Sequence, residues 1–176
     1  MVIAALATSA VYADQEKGFA FGIGAASNRY DLNPSQAAGL SGSDRATGWE
    51  VFGSYRFNRY AAVEATYLDG GAVDIDYLTA RIHLDGKAYG GSVVGSLPIG
   101  DSFAVFGRAG YMKGDLKLRA TGPGGTASAT DSDEAPIVGA GFRTMFDGAQ
   151  IRLEYDRIDF DAMDVDRVSL SIAWLF

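Results

Sequence analysis

A chain of 176 residues with 23 glycines and only 4 prolines has room for one domain of ordinary size, and its glycine excess argues against a helical bundle. A net charge of −7, with Lys and Arg scattered rather than massed in a stripe, leaves no electrostatic footprint for nucleic acid as a partner. The absence of cysteine excludes disulfides and thiolate metal sites, and beyond residue 13 no apolar run nears the ~18 residues of a transmembrane helix, so any membrane crossing requires a closed barrel.

The first element in chain order is the apolar stretch Met1 to Ala13. It carries no charge and ends Val11-Tyr12-Ala13, with small residues at the last and third-last positions. That pattern is a secretory signal cleaved before Asp14, and residues 14–176 are expected to form the mature domain. A complete signal would open on a short Lys/Arg segment; none is present, so the start is expected to be truncated or misassigned.

Period-two alternation then recurs eight times, near Gly18 to Asn28, Gly48 to Phe57, Tyr60 to Leu68, Lys87 to Leu97, Phe103 to Met112, Ile137 to Phe146, Ile151 to Arg157 and Arg167 to Phe176. The connections alternate in length. Asn58-Arg59, Pro98 to Ser102 and Asp147 to Gln150 are tight, whereas Arg29 to Thr47, Asp69 to Gly86, Lys113 to Pro136 and Ile158 to Asp166 are long. Short turns on one side and long loops on the other form the outer-membrane pattern, with periplasmic termini and with the loops around Ser41 and Thr126 outside. The stretch Ala120 to Ser132, rich in Gly, Thr, Ser and Ala, is expected to be a mobile loop.

Strand parity separates two chemistries. One face carries Phe19, Phe21 and Ile23, Trp49, Val51, Tyr55 and Phe57, Val63 and Tyr67, and Val168, Leu170, Ile172, Trp174 and Phe176. The other carries Gly22 and Gly24, then Glu50, Ser54, Arg56, Glu64, Thr66, Arg108, Arg143, Arg152, Glu154, Asp156, Arg167, Ser169 and Ser171. A soluble barrel would put the apolar face inside. A barrel of about eight strands has an interior just wide enough for side chains to fill, and the face dense in small residues fits that space. The apolar face then meets lipid, and Tyr55, Phe57, Tyr67, Tyr111, Phe146 and Trp174 form interfacial girdles. The fold class expected is all-β: an eight-stranded antiparallel transmembrane β-barrel with up-and-down topology.

Several segments in order, Val63-Glu64-Ala65-Thr66-Tyr67, Gly95 to Asp101 leading into Phe106-Gly107-Arg108-Ala109-Gly110-Tyr111, Gly139-Ala140-Gly141-Phe142 and Arg152-Leu153-Glu154-Tyr155, make the chain resemble the transmembrane domain of the OmpA family and its stand-alone small barrels. The resemblance implies an integral outer-membrane location and an interior gate in which a strand-three Glu pairs with a strand-seven Arg, here Glu64 and Arg152. The family's second gate pair, a Lys with a Glu, falls on Val94 and Arg143 and is not retained. The chain stops at strand eight, so a peptidoglycan-binding domain is not implied.

The inward charges, five Arg (56, 108, 143, 152, 167) against Glu50, Glu64, Glu154 and Asp156, come near the balance that a desolvated interior needs. They can form a structural plug of ion pairs, or they can gate a narrow ion or small-solute path. Asp156, Asp159, Asp161, Asp164 and Asp166 crowd the last connection and suit a solvated acidic loop or, alternatively, a divalent-cation site, although EF-hand order is missing. A lipid A-modifying enzyme would need a His base beside a Ser nucleophile and an acid; His83 is the only histidine and has no neighbouring Ser. Gly22-Ile23-Gly24 and Gly122 to Gly125 lack the strand-turn-helix context of a phosphate loop. The unbroken final strand ending in Phe176, with Val168, Leu170, Ile172 and Trp174, resembles the signal read by the outer-membrane assembly machinery. The expectation is a barrel with no catalytic residues, cofactor or metal, displaying four loops to lipopolysaccharide or surface ligands.

Overall fold

The structure is a computed structural model and describes residues 17–32, 43–77, 80–122, 125–146, 148–160 and 163–176. Eight strands follow one another: β1 (Gly18–Leu32), β2 (Ser43–Asn58), β3 (Ala61–Tyr77), β4 (Ala80–Ile99), β5 (Phe103–Gly122), β6 (Gly125–Phe146), β7 (Ala149–Asp159) and β8 (Met163–Leu175). Each pairs antiparallel with its sequence neighbours, and β1 pairs with β8, so the sheet closes into an up-and-down barrel without a free edge. At the foot of that seam Phe176 N donates to Phe19 O at 2.8 Å and Phe19 N to Phe176 O at 3.2 Å. Closure pairs every backbone ladder, which is the condition for a sheet to sit in hydrocarbon. No helix among the described residues is long and apolar enough to cross a membrane.

The end carrying residue 18 and Phe176 also carries the three short connections and is called the turn end below; the opposite end is the loop end. Gly100, with φ of 73°, sits in the β4–β5 turn, where a left-handed backbone suits a residue without a Cβ.

The long connections expected at the loop end are mostly strand. Pairing of β3 with β4 runs on to Tyr77↔Ala80, and that of β5 with β6 to Gly122↔Gly125. The expected loop over Ala120 to Ser132 is therefore a β-ladder, with residues 123–124 outside the described set and Thr126 paired with Thr121. Short alternating runs such as Val73-Asp74-Ile75-Asp76-Tyr77, Ile82-His83-Leu84-Asp85 and Leu116-Lys117-Leu118 lie within these stretches, and the hydrogen-bonded ladder carries each strand through them. Ser41 and the expected signal, Met1 to Ala13, lie outside the described residues.

Burial follows strand parity, as in β7, where Arg152, Glu154 and Asp156 are buried and Ile151, Leu153 and Tyr155 are exposed. The apolar face points outward around the barrel, Phe21, Val93, Leu97, Phe142, Leu170 and Phe176 all being exposed. All six expected girdle aromatics lie on this outer surface, and Phe19, Tyr55 and Phe57 form a chain of ring contacts at 4.8 and 5.2 Å near the turn end.

Candidate functional site in the barrel lumen

The lumen is stratified along the barrel axis. Nearest the loop end, Leu68, Ala88, Met112, Ala135, Ile137, Ile158 and Val165 form one buried apolar cluster, with Tyr30 and Phe160 packed against it. These residues share parity with the charged ones, so the lumen face is not uniformly polar as the sequence suggested. An interior sealed from both lipid and bulk water can be filled with apolar side chains as well as with paired charges.

Below this layer sits a network of charges. Arg152 Nη1 donates to Glu64 Oε2 at 2.6 Å and Nη2 to Glu154 Oε2 at 2.6 Å. Arg108 lies between three carboxylates, at 3.1 Å from Glu64, 3.0 Å from Glu154 and 2.9 Å from Asp156. Arg167 bridges Asp156 at 3.0 Å and also donates to Glu50. All of these side chains are buried. Three guanidiniums thus hold four carboxylates, and the multiple partners offset the desolvation that an isolated buried charge would suffer. Glu64 takes Arg108 as well as Arg152, whereas Arg143 makes no ion pair with it.

Two aromatic residues of the network were not singled out from the sequence. The Arg152 guanidinium lies 4.4 Å from the Phe52 ring centroid and 4.7 Å from that of Phe106, and both rings point into the lumen. Such contacts strengthen when desolvated. Lumen glycines make room for them: a Cβ at Gly22 would collide with Phe52, one at Gly141 would meet Phe106 Cζ at 2.8 Å, and one at Gly139 would strike Asp156. A departure from alternation was the available signal, since Phe52 and Phe106 carry large rings on an otherwise small and polar face.

The space toward the turn end is lined by Ser54, Arg56, Ala62, Val94, Arg143 and Gln150 together with Glu64, Phe106 and Arg152 of the network. Arg56 Nη2 donates to Gln150 Oε1 at 3.3 Å. Val94 and Arg143, the positions of the unretained gate pair, both face this space, and Val94 is buried.

The acidic residues of the last connection divide. Asp156 belongs to the lumen, while Asp159, Asp164 and Asp166 gather around the exposed Arg157 at 2.8, 2.7 and 3.7 Å. Tyr155 donates its hydroxyl to Asp166 at 2.7 Å. Asp161 lies outside the described residues, and among those described no group of His, Cys, Asp and Glu has the arrangement of a metal site. His83 lies in β4 opposite Asp74 and Arg119, its side chain outside the described set. The final strand turns Val168, Leu170, Ile172, Trp174 and Phe176 to the outer surface.

The fold has solved counterparts. Ail, the attachment invasion locus protein of Yersinia pestis, superposes with a TM-score of 0.69 at 18% identity, over 92% of this chain and 99% of that one. Ail has also been solved in complex with the heparin analogue sucrose octasulfate. Neisserial surface protein A gives 0.65 at 14% identity, over 90% and 97%, and the N-terminal barrel of Pseudomonas aeruginosa OprF gives 0.60 at 11%, over 91% and 99%. No curated protein matches the chain. A family model described as the outer membrane protein beta-barrel domain matches residues 1–176. The chain belongs to that family and is an integral outer-membrane β-barrel protein.

Proposed function

We propose that this protein is a structural, surface-displaying barrel of the outer membrane whose lumen is closed and whose loop end faces outward. One observation carries the reading: an apolar layer stacked directly on a buried ion-pair network, two fillings in series across the same narrow lumen. Ion permeation would require both to part. Paired β-ladders rising beyond the barrel at the loop end give a broad scaffold for contact with lipopolysaccharide or with a surface ligand. That Ail, an outer membrane protein of the same fold, has been solved in complex with the heparin analogue sucrose octasulfate supports a contact role for the exterior. The exposed apolar register of β8 fits recognition by the outer-membrane assembly machinery. No catalytic residue is assigned.

Planar-bilayer recordings of the refolded protein test the closed lumen, and negligible conductance is expected. Frequent, stable open steps would instead establish the second reading, a narrow channel. The feature favouring that alternative is Arg108, which touches Glu64, Glu154 and Asp156 and so has partners to exchange. Lipid A mass spectra from cells with and without the protein should coincide.

A further inference from the structure

The wall of the barrel does not end level at the loop end. Pairing of β2 with β3 stops at Trp49↔Asp69, whereas β3 runs on beside β4 to Tyr77. Pairing of β6 with β7 stops at Ile137↔Ile158, whereas β6 runs beside β5 as far as Gly125. Strands β3 to β6 therefore rise beyond their neighbours, and a wedge opens on each side where the ladder parts. One aromatic side chain crosses each wedge. Tyr30 on β1 reaches past β2, and its hydroxyl donates to Gly70 O on β3 at 2.9 Å, beside a second donor, Asn28 Nδ2, at 3.1 Å. Phe160, the residue after β7, reaches past β6 to Gly114 on β5. Both side chains land on glycine: a Cβ at Gly70 would collide with the Tyr30 hydroxyl, and one at Gly114 would lie 2.8 Å from the Phe160 ring. The crossed strands contribute small buried residues to the lumen, Ala46 on β2 and Ala135 on β6.

Where a ladder parts, the apolar layer below loses the cover of a neighbouring strand. Tyr30 and Phe160 both pack against that layer, the cluster that holds Met112, Ala135 and Val165. A half-buried aromatic ring covers much apolar surface at little cost in side-chain freedom, and a glycine inside a strand is suited to receiving so close an approach. We propose that Tyr30 and Phe160 are the two halves of a lid that closes the loop-end mouth of the lumen, each seated on a glycine of the rising sheet. The halves are fastened differently. Tyr30 is hydrogen-bonded to its seat, whereas Phe160 is held there by packing alone, so Phe160 is the half that opens. The inference deepens the closed-lumen reading and rests on it. Bilayer conductance tests that reading separately, because the ion-pair network lies below the lid and keeps the lumen shut whether or not the lid is in place.

Met112, 2% exposed and part of the apolar layer, is a native reporter, and Met145, half-buried near the turn end, is its internal reference. Hydrogen peroxide converts an accessible methionine to the sulfoxide. The test is peptide mass spectrometry of both methionines during peroxide treatment of the full chain refolded in detergent. Phe160→Ala should speed Met112 oxidation by at least about tenfold through easier local opening, with Met145 unchanged. Tyr30→Ala should also speed it, and the double variant should exceed either single. Gly114→Ala leaves the ring in place of sequence but pushes it off its seat, and should speed Met112 oxidation with little change in urea stability. Heat-modifiable migration checks that each variant is folded; if Phe160→Ala does not fold, Gly114→Ala carries the test. Unchanged Met112 oxidation in the folded variants, or an equal rise at Met145, overturns the lid, and negligible conductance in those same variants would leave the closed lumen standing without it.

Discussion

Arg152 on β7 reaches across the lumen to Glu64 on β3, with its Nη1 2.6 Å from Glu64 Oε2 and both side chains buried. Removing one partner leaves the other charged and desolvated, at a cost of ~3 to 5 kcal/mol, whereas replacing both with apolar groups can be nearly neutral. Glu64→Gln and Arg152→Met are each expected to destabilise the barrel in urea, and the double variant to cost clearly less than the sum. Glu64 keeps Arg108 when Arg152 is lost and Arg152 keeps Glu154 when Glu64 is lost, so each cost is expected toward the lower end of that range. Simple additivity would sink the interaction.

Arg152 is held from its faces as well as from its ends. Phe106→Leu removes one ring of the stack, 4.7 Å from the guanidinium, and leaves a small void. A loss of ~1 to 2 kcal/mol is expected from equilibrium unfolding in urea, combining lost packing with the lost cation–π contact. The same change in an Arg152→Met background should cost less, and an identical cost in both backgrounds would remove the stack from the account.

Gly139→Ala tests how tightly the network is seated. The new Cβ would collide with Asp156, which is pinned between Arg108 and Arg167, and would lie 3.0 Å from Tyr155 O. Neither neighbour can retreat without breaking an ion pair or the ladder. Overpacking of this kind costs ~1 to 3 kcal/mol. Gly53→Ala, with nothing within 4 Å of its Cβ, is the control and should have little effect on urea stability.

Orientation can be read on cells. A cysteine at Thr126, in the β5–β6 hairpin at the loop end, should react with an impermeant maleimide on intact cells. One at Arg59, in the β2–β3 turn, should label only after the outer membrane is permeabilised. The converse pattern would invert the barrel.

Phe176 is both the last outward aromatic and the foot of the β1–β8 seam, exchanging two backbone hydrogen bonds with Phe19. Deleting it removes both bonds, worth ~1 to 3 kcal/mol together, so refolding in detergent should weaken measurably. A larger defect in cells than in detergent, read as loss of the heat-modifiable form, is expected if the residue also serves assembly. Equal defects would leave Phe176 as a seam residue alone.

The strands inside the membrane were legible in the sequence because their two faces meet different solvents. Phe19, Phe21 and Ile23 alternate with Ala20, Gly22 and Gly24, and the inward parity of Glu64, Arg108, Arg152 and Asp156 follows from the same alternation. From Asp69 to Gly86 and from Lys113 to Pro136 alternation survives only in short runs such as Val73-Asp74-Ile75-Asp76-Tyr77 and Leu116-Lys117-Leu118, and the ladder register showed that the strands continue through them. Parity places a residue on a face but not at a depth, nor against a partner. Depth and partner are set by the stagger of strands distant in sequence. Only the closed barrel could therefore put Ile158 in an apolar layer, set Arg152 between Phe52 and Phe106, give Arg108 three carboxylates and leave Arg143 with none.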